Sequence, residues 1–277
     1  MDDTRIITAY CIIEDTMNRL GHKRHRLAQV TDAEVLTVAV VSSMYFQNHH
    51  ERALFVMKGL RYITKPISTS RFSRRLHALG QWLEYIVELV GQLFSQGEAF
   101  IIDSLPVPMC KRVRAFRCRK VNGHLSRAYF GGCAAKKWNF YGWRLHLVCT
   151  PAGVPVRFQM LPASWHDLTP IYELTFGLPK GASVYADKGY VSGAVKRALR
   201  PTVRRPDGVK LVATHKANMK PNTFEEWCGL KQYRHSIETT NSQLVSMGIQ
   251  RLHARTNHGL ALKVLASLLA LACINLY

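Results

Sequence analysis

Apolar positions recur along the chain with two periods, and the switch between them divides it. Up to about residue 95 the period is that of a helix. "TDAE" (Thr31–Glu34) reads as a capping box: the Thr hydroxyl can accept from the Glu amide, and the Glu carboxylate can reach back. The apolar run "VLTVAVVSSMYF" follows it. In "STSRFSRRLHALGQWLEYIVELVGQLF" the residues Phe72, Leu76, Leu79, Leu83, Ile86, Val90 and Leu93 keep alternating four- and three-residue spacing, which predicts one long helix.

After "SQGEA" (Ser95–Ala99) the pattern turns to strands. "AFIID" is the first, and "WNFYGWRLHLVCT" (Trp138–Thr150) and "VPVRFQMLPA" (Val154–Ala163) flank the turn "PAG", a hairpin signal. "HDLTPIYEL" reads as a helix, "ASVYAD" (Ala182–Asp187) as a strand, "GYVSGAVKRAL" as a lead into a helix, and "VKLVAT" (Val209–Thr214) as a fifth strand. From Thr223 the chain is helical again, opened by a second capping box, "TFEE". The expected fold class is α/β: a mixed five-stranded sheet with flanking helices, preceded by an all-helical domain. The expected domains are 1–95 and 96–277. No internal repeat or low-complexity tract interrupts them.

Charge sharpens this picture. Thirty-eight Lys and Arg stand against eighteen Asp and Glu, a net +20, which suits a polyanion and most often nucleic acid. The basic residues cluster. Arg71, Arg74 and Arg75 share the start of the second predicted helix, where they can meet phosphate or base edges, or simply form a solvated face. The start "MDDTRIITAY" lacks a basic region followed by an apolar one, so no signal peptide is expected. Seven unevenly spaced cysteines point to free thiols in a reducing cytoplasm. "VLASLLALACI" falls short of the ~20 residues needed to cross a bilayer, so it is expected as a core helix and no membrane partner is expected.

Acidic residues are the scarce element. Between Asp103 and Asp167 there are none, while the same interval holds eleven Lys and Arg. Asp103 and Asp187 are expected at the ends of two strands, where ligands of open α/β sheets gather. Glu238 follows in "YRHSIETTNSQL", on one helical face with Arg234 and Asn241. Three carboxylates without a ring of His or Cys suit a hard, oxygen-loving cation, and two such ions can support phosphoryl transfer. Each residue also has an ordinary reading. Asp103 and Asp187 could be turn residues, and Glu238 could be half of an ion pair with Arg234.

"IIDSLPVPMC", "ADKGY" and "RHSIETTNSQL", in that order, resemble the three motifs of the DDE transposases of bacterial insertion sequences, and more narrowly the insertion-sequence family numbered 982. The similarity extends to "TDAEVLTVAVV", "HHERAL" and "TSRFSRRLHAL". It implies a ribonuclease-H-like catalytic domain and a strand-transfer reaction dependent on magnesium or manganese, two ions per site. It also implies double-stranded DNA bearing terminal inverted repeats as substrate, target DNA as a second partner, and a homodimer on paired ends. The protein would act in the bacterial cytoplasm at the nucleoid. The triad carried over is Asp103, Asp187 and Glu238, with Arg234 completing an Arg-x-x-x-Glu signature. Relatives often carry Lys or Arg seven residues after the Glu; here Val245 stands there, and Lys188, Arg251 and Arg255 are possible substitutes.

The expected phosphate-holding residues are Lys111, Arg112, Arg114, Lys136, Lys137, Lys188, Arg234 and Arg251, together with the three arginines of the second helix. His166 and Asn241 are expected to support the site, and Asp167 to cap the helix after it. Cys110, Cys118, His124 and Cys133 lack the regular spacing of a zinc site. The competing readings are a regulator that binds DNA ends without cutting, and a ribonuclease-H-like nuclease acting on other DNA structures.

Overall fold

The computed structural model describes residues 1–118, 127–133, 137–202, 208–215 and 219–276. In chain order the helices and strands are α1 (Asp3–Arg19), α2 (Asp32–Phe46), α3 (His50–Gly59), α4 (Thr69–Ala78), α5 (Gly80–Leu93), β1 (Ala99–Lys111), β2 (Phe130–Cys133), β3 (Trp138–Cys149), β4 (Pro155–Pro162), α6 (Ile171–Thr175), β5 (Ser183–Ala186), α7 (Gly193–Leu199), β6 (Lys210–Ala213), α8 (Phe224–Ser246) and α9 (Asn257–Asn275). They form two compact units: Met1–Leu89 with Gln243–Tyr277, and Val90–Ser242.

The first unit is helical. Thr31 caps α2 through the capping box with Glu34. Helices α2 and α9 are apolar on every side, so both must be enclosed, and they pack on each other at the centre of this unit. Helix α9 is long and apolar enough to span a bilayer by length and composition, yet most of it is buried within the unit. The long helix expected from Ser68 breaks at Leu79 into α4 and α5. At the break α9 packs tightly on the chain: a Cβ at Gly80 would sit 2.9 Å from the His258 ring. A buried polar knot ties the end of α2 to the C-terminal segment. Asn48 accepts from Ser43 Oγ (2.9 Å) and donates to the Met247 carbonyl (2.9 Å) and to Ser267 Oγ (3.0 Å). Its φ of 65° is the left-handed conformation that Asn tolerates better than most residues.

The second unit is built on a mixed sheet of six strands, not five. The order is β2-β3-β1-β5-β6, with β4 pairing β3. The added strand is β2, "FGGC", whose two glycines hide its strand character in the sequence. β2 and β4 share one edge of the long β3, pairing Trp138–Tyr141 and Trp143–Cys149 respectively. The β3–β4 hairpin turns at Gly153 (φ 89°), as "PAG" predicts. β1 runs antiparallel to β3 and parallel to β5, and β5 parallel to β6.

β1 departs from expectation in length. Asp103 does not end it, because the strand continues to Lys111 through Pro106 and Pro108. The two prolines are two residues apart, so their missing N–H groups lie on one edge of the strand. β3 supports the whole of the other edge, whereas β5 pairs only Ala99–Ile102. Asp103 is therefore the first β1 residue beyond the parallel pairing.

Side chains alternate across β1. Phe100 and Ile102 enter the core with Val184, Ala186, Ile171, Leu174, Tyr190 and Leu199. Ile101 and Asp103 face the other way and share a small cavity with Leu147, Cys149, Ile237, Thr240 and Asn241. The helix expected at His166–Leu174 starts only at Ile171 behind Pro170, so Asp167 does not cap it. The Thr223 capping box opens α8 as expected, with Glu226 N donating to Thr223 Oγ1 at 3.3 Å.

Replacing Asn48 with Ala leaves buried Ser43, Ser267 and the Met247 carbonyl short of partners. We expect a loss of about 2–4 kcal/mol in denaturant unfolding, against less than about 0.5 kcal/mol for Arg71→Ala on the exposed face of α4.

Candidate active site

Three elements bring acidic and amide side chains to one crevice of the second unit. β1 supplies Asp103 from its α8-facing side. The chain leaving β5 supplies Asp187, and α8 supplies Arg234, Glu238 and Asn241 at helical spacing. All five line one cavity of about 140 Å³, together with Tyr185, Thr214 and Ile237.

Asp103 is the most enclosed of the three carboxylates, and both of its oxygens are held. Oδ1 accepts from the Ser104 amide at 2.7 Å, and Oδ2 from Asn241 Nδ2 at 2.5 Å. Burial pushes its pKa up to about 6; the two donors oppose the rise, and the negative charges of Asp187 and Asp167 add to it. Asp187 is exposed and opens a short 3₁₀ turn, Lys188–Tyr190. Glu238 is 62% exposed and accepts from Arg234 Nε at 3.0 Å, so the ion pair raised by the sequence does form. In water such a pair is weak, and it leaves Glu238 on the cavity wall.

Behind Asp103 lies a group that sequence reasoning passed over. His146 on β3 is paired with Ser104, fully buried, and has no hydrogen-bond partner at either ring nitrogen among the described residues. The Asp167 carboxylate is 3.9 Å from its Nδ1. Burial lowers the His146 pKa to about 4 despite Asp167, so the ring is neutral. Asp167 also meets the glycine of "ADKGY". A Cβ at Gly189 would lie 2.6 Å from Asp167 Oδ2, so the turn that carries Asp187 packs against the tip of this carboxylate, which a side chain at 189 would turn aside. The available signal was a histidine inside an otherwise apolar run, "LHLVC". His166 is exposed, takes the Leu168 amide at 3.2 Å on its own Nδ1, and does not line the cavity.

The basic residues fall in both units. Lys111, Arg112 and Arg114 are exposed at and just beyond the end of β1, Lys137 just before β3, and Lys188 beside Asp187. Lys136 and His124 lie outside the described residues. In the first unit, Arg71, Arg74 and Arg75 line a cleft of about 750 Å³ with His25, Gln29 and Pro66. Arg71 and Arg74 are exposed there, while Arg75 is turned inward to the Asp32 carboxylate and the Val30 carbonyl. Arg251 is exposed in the same unit.

Oxygen donors around one cavity, with the negative charges of Asp187 and Asp167 adding to the burial that raises the pKa of Asp103, make a donor set that a hard divalent cation would suit. Among the described residues no three of His, Cys, Asp and Glu stand close enough to form a metal cluster.

A family model described as "Transposase DDE domain" matches residues 95–258, more than half of the chain. No curated protein and no solved structure matches it.

The raised pKa of Asp103 sets a sign for stability. Its favourable contribution is full below the unfolded value of 3.8 and is lost as pH rises through about 6. Asp103→Asn is therefore expected to stabilise the metal-free protein by about 3 kcal/mol at pH 8. The gain should shrink toward zero near pH 4, as measured by denaturant unfolding at the two pH values.

Proposed function

The chain belongs to the family of transposase DDE domains, and from that premise we propose that it cuts and joins DNA at the ends of its own mobile element, through Asp103, Asp187 and Glu238. The observation that carries this reading is the shared cavity. Residues 84 and 51 positions apart in sequence meet there as the three carboxylates the motifs single out, in the motif order.

In this reading Asp103 is the fixed ligand, held at both oxygens, and Asp187 and Glu238 complete an oxygen-donor set for magnesium or manganese, two ions per site. Those ions supply Lewis acidity and neutralise developing phosphate charge. The protein's own residues do the positioning. Asn241 and the Ser104 amide orient Asp103. Arg234 and Lys188 place positive charge at the rim, where a DNA backbone would pass. Water attacks a phosphodiester at each end and displaces its 3′ oxygen, and the freed 3′ hydroxyl then attacks a target phosphodiester in line and displaces the target strand's 3′ oxygen. The sheet order, three antiparallel strands followed by two parallel ones, supports a ribonuclease-H-like assignment.

We assign inverted-repeat recognition to the helical N-terminal region, with Arg71 and Arg74 reaching the DNA and Arg75 bracing the cleft. Target DNA, a homodimer on paired ends, membership of the insertion-sequence family numbered 982 and a cytoplasmic, nucleoid-bound location belong to the same reading. One observation favours a silent end-binding regulator instead: no three-residue metal cluster forms among the described residues. Joining of pre-cut ends to a target plasmid separates these readings, since neither a regulator nor a simple nuclease joins them.

Asp103→Asn, Asp187→Asn and Glu238→Gln are each expected to lower magnesium-dependent cleavage of an end-bearing duplex by at least about a hundredfold. Gel-shift affinity for the same duplex should stay within about threefold. Undiminished cleavage in any of the three removes that residue from the site.

A further inference from the structure

The six residues that follow β1, Arg112–Arg117 ("RVRAFR"), form a 3₁₀ helix. Three residues make one turn of such a helix, so side chains three apart eclipse and the segment has three faces. The first face is an anchor. Ala115 is buried with Tyr129 and Tyr141, Cys118 packs on the same cluster, and the Arg112 guanidinium lies 5.6 Å from the centre of the Phe130 ring. The second face is apolar and stands in solvent: Val113 is 84% exposed and Phe116 81%, the two most exposed large apolar side chains among those described. The third face carries Arg114 and Arg117, both exposed.

A folded monomer gains nothing from this apolar pair, because neither side chain leaves water. The surroundings select the kind of partner. Two eclipsed arginines flank the pair, and no acidic residue occurs from Ser104 to His166. The complementary surface is therefore anionic with an apolar element inside it. An intact duplex presents phosphates but keeps its base faces stacked, whereas an opened or kinked step presents both together.

We propose that Val113 and Phe116 form a base-stacking wedge that lodges against nucleobases unstacked from DNA, while Arg114 and Arg117 hold the flanking phosphates. The wedge is mounted rigidly through Ala115, so little ordering is left for binding to supply. From Asp103 to Lys111 β1 runs eight residue steps, about 26 Å of strand. The unstacked bases therefore lie within about eight base pairs of the phosphate at the carboxylate cavity. This inference rests on the DNA-processing reading above and adds where, and in what state, the DNA is gripped.

The test uses the full chain and two probes: a mixed-sequence duplex, and the same duplex with a short central mismatch bubble containing 2-aminopurine. The wild-type protein should bind the bubble about 5- to 100-fold more tightly than the intact duplex, and should change the 2-aminopurine emission. Phe116→Ala combined with Val113→Ser should abolish both effects, while intact-duplex affinity stays within about twofold. Phe116→Trp should keep both effects. Arg114→Ala with Arg117→Ala should weaken binding to both probes and lower the salt slope by about 2.

DNA binding with no preference for the bubble overturns the wedge and leaves the DNA-processing reading standing. So does an unchanged preference in the Phe116→Ala, Val113→Ser variant. If that variant instead dissociates an oligomer in sedimentation without altering the emission, the face is a contact between copies of this chain and the wedge is overturned. Failure to bind either probe removes the DNA-processing reading and the wedge together.

Discussion

The hydrogen bond from Asn241 to Asp103 spans 138 residues of sequence and determines what the α/β unit can do. It holds α8 against the open side of β1, next to the point where β5 stops pairing. With that contact made, the helical repeat brings Glu238 and Arg234 onto the same wall, and the short parallel strand β5 delivers Asp187 opposite them. Without it, Asp103 would be a desolvated carboxylate with a single backbone donor. An unpaired buried charge of that kind is among the most costly features a core can carry.

The charge pattern of the chain has the same logic. A site whose central carboxylate is pushed up by burial and by the charges of Asp187 and Asp167 is poorly satisfied by protein alone. The long acid-free stretch after Asp103 keeps competing carboxylates away and loads the surrounding surface with cations. Anionic centre and cationic surroundings are complementary to the two components of a metal-bound nucleic acid, and each would be unfavourable without its counterpart.

Much of this was legible in the sequence, and the misses have physical causes. The capping boxes at Thr31 and Thr223 and the turn at Gly153 were readable because each is a local arrangement with few alternatives. The three motif carboxylates were readable as a set, and the structure brings them to one cavity. The reach of β1 was not readable, since Pro106 and Pro108 end a strand unless the edge they face is unpaired, which only topology decides. β2 was hidden by its glycines. The break at Leu79 falls where residues of α9, far away in sequence, press on Gly80. His146 was hidden because an apolar strand pattern says nothing about what lies behind one polar member.

The close fit of Gly189 to the Asp167 carboxylate bears on how the Asp187 turn tolerates change. A side chain at position 189 would meet Asp167 only at its tip, since the Asp167 Cγ and Cβ stand 3.6 and 3.8 Å away, so a rotation of that carboxylate would make room for it. The same rotation would carry the carboxylate out of its 3.9 Å approach to His146 Nδ1, so a change at 189 would be felt at the buried ring on β3 before it displaced Asp187.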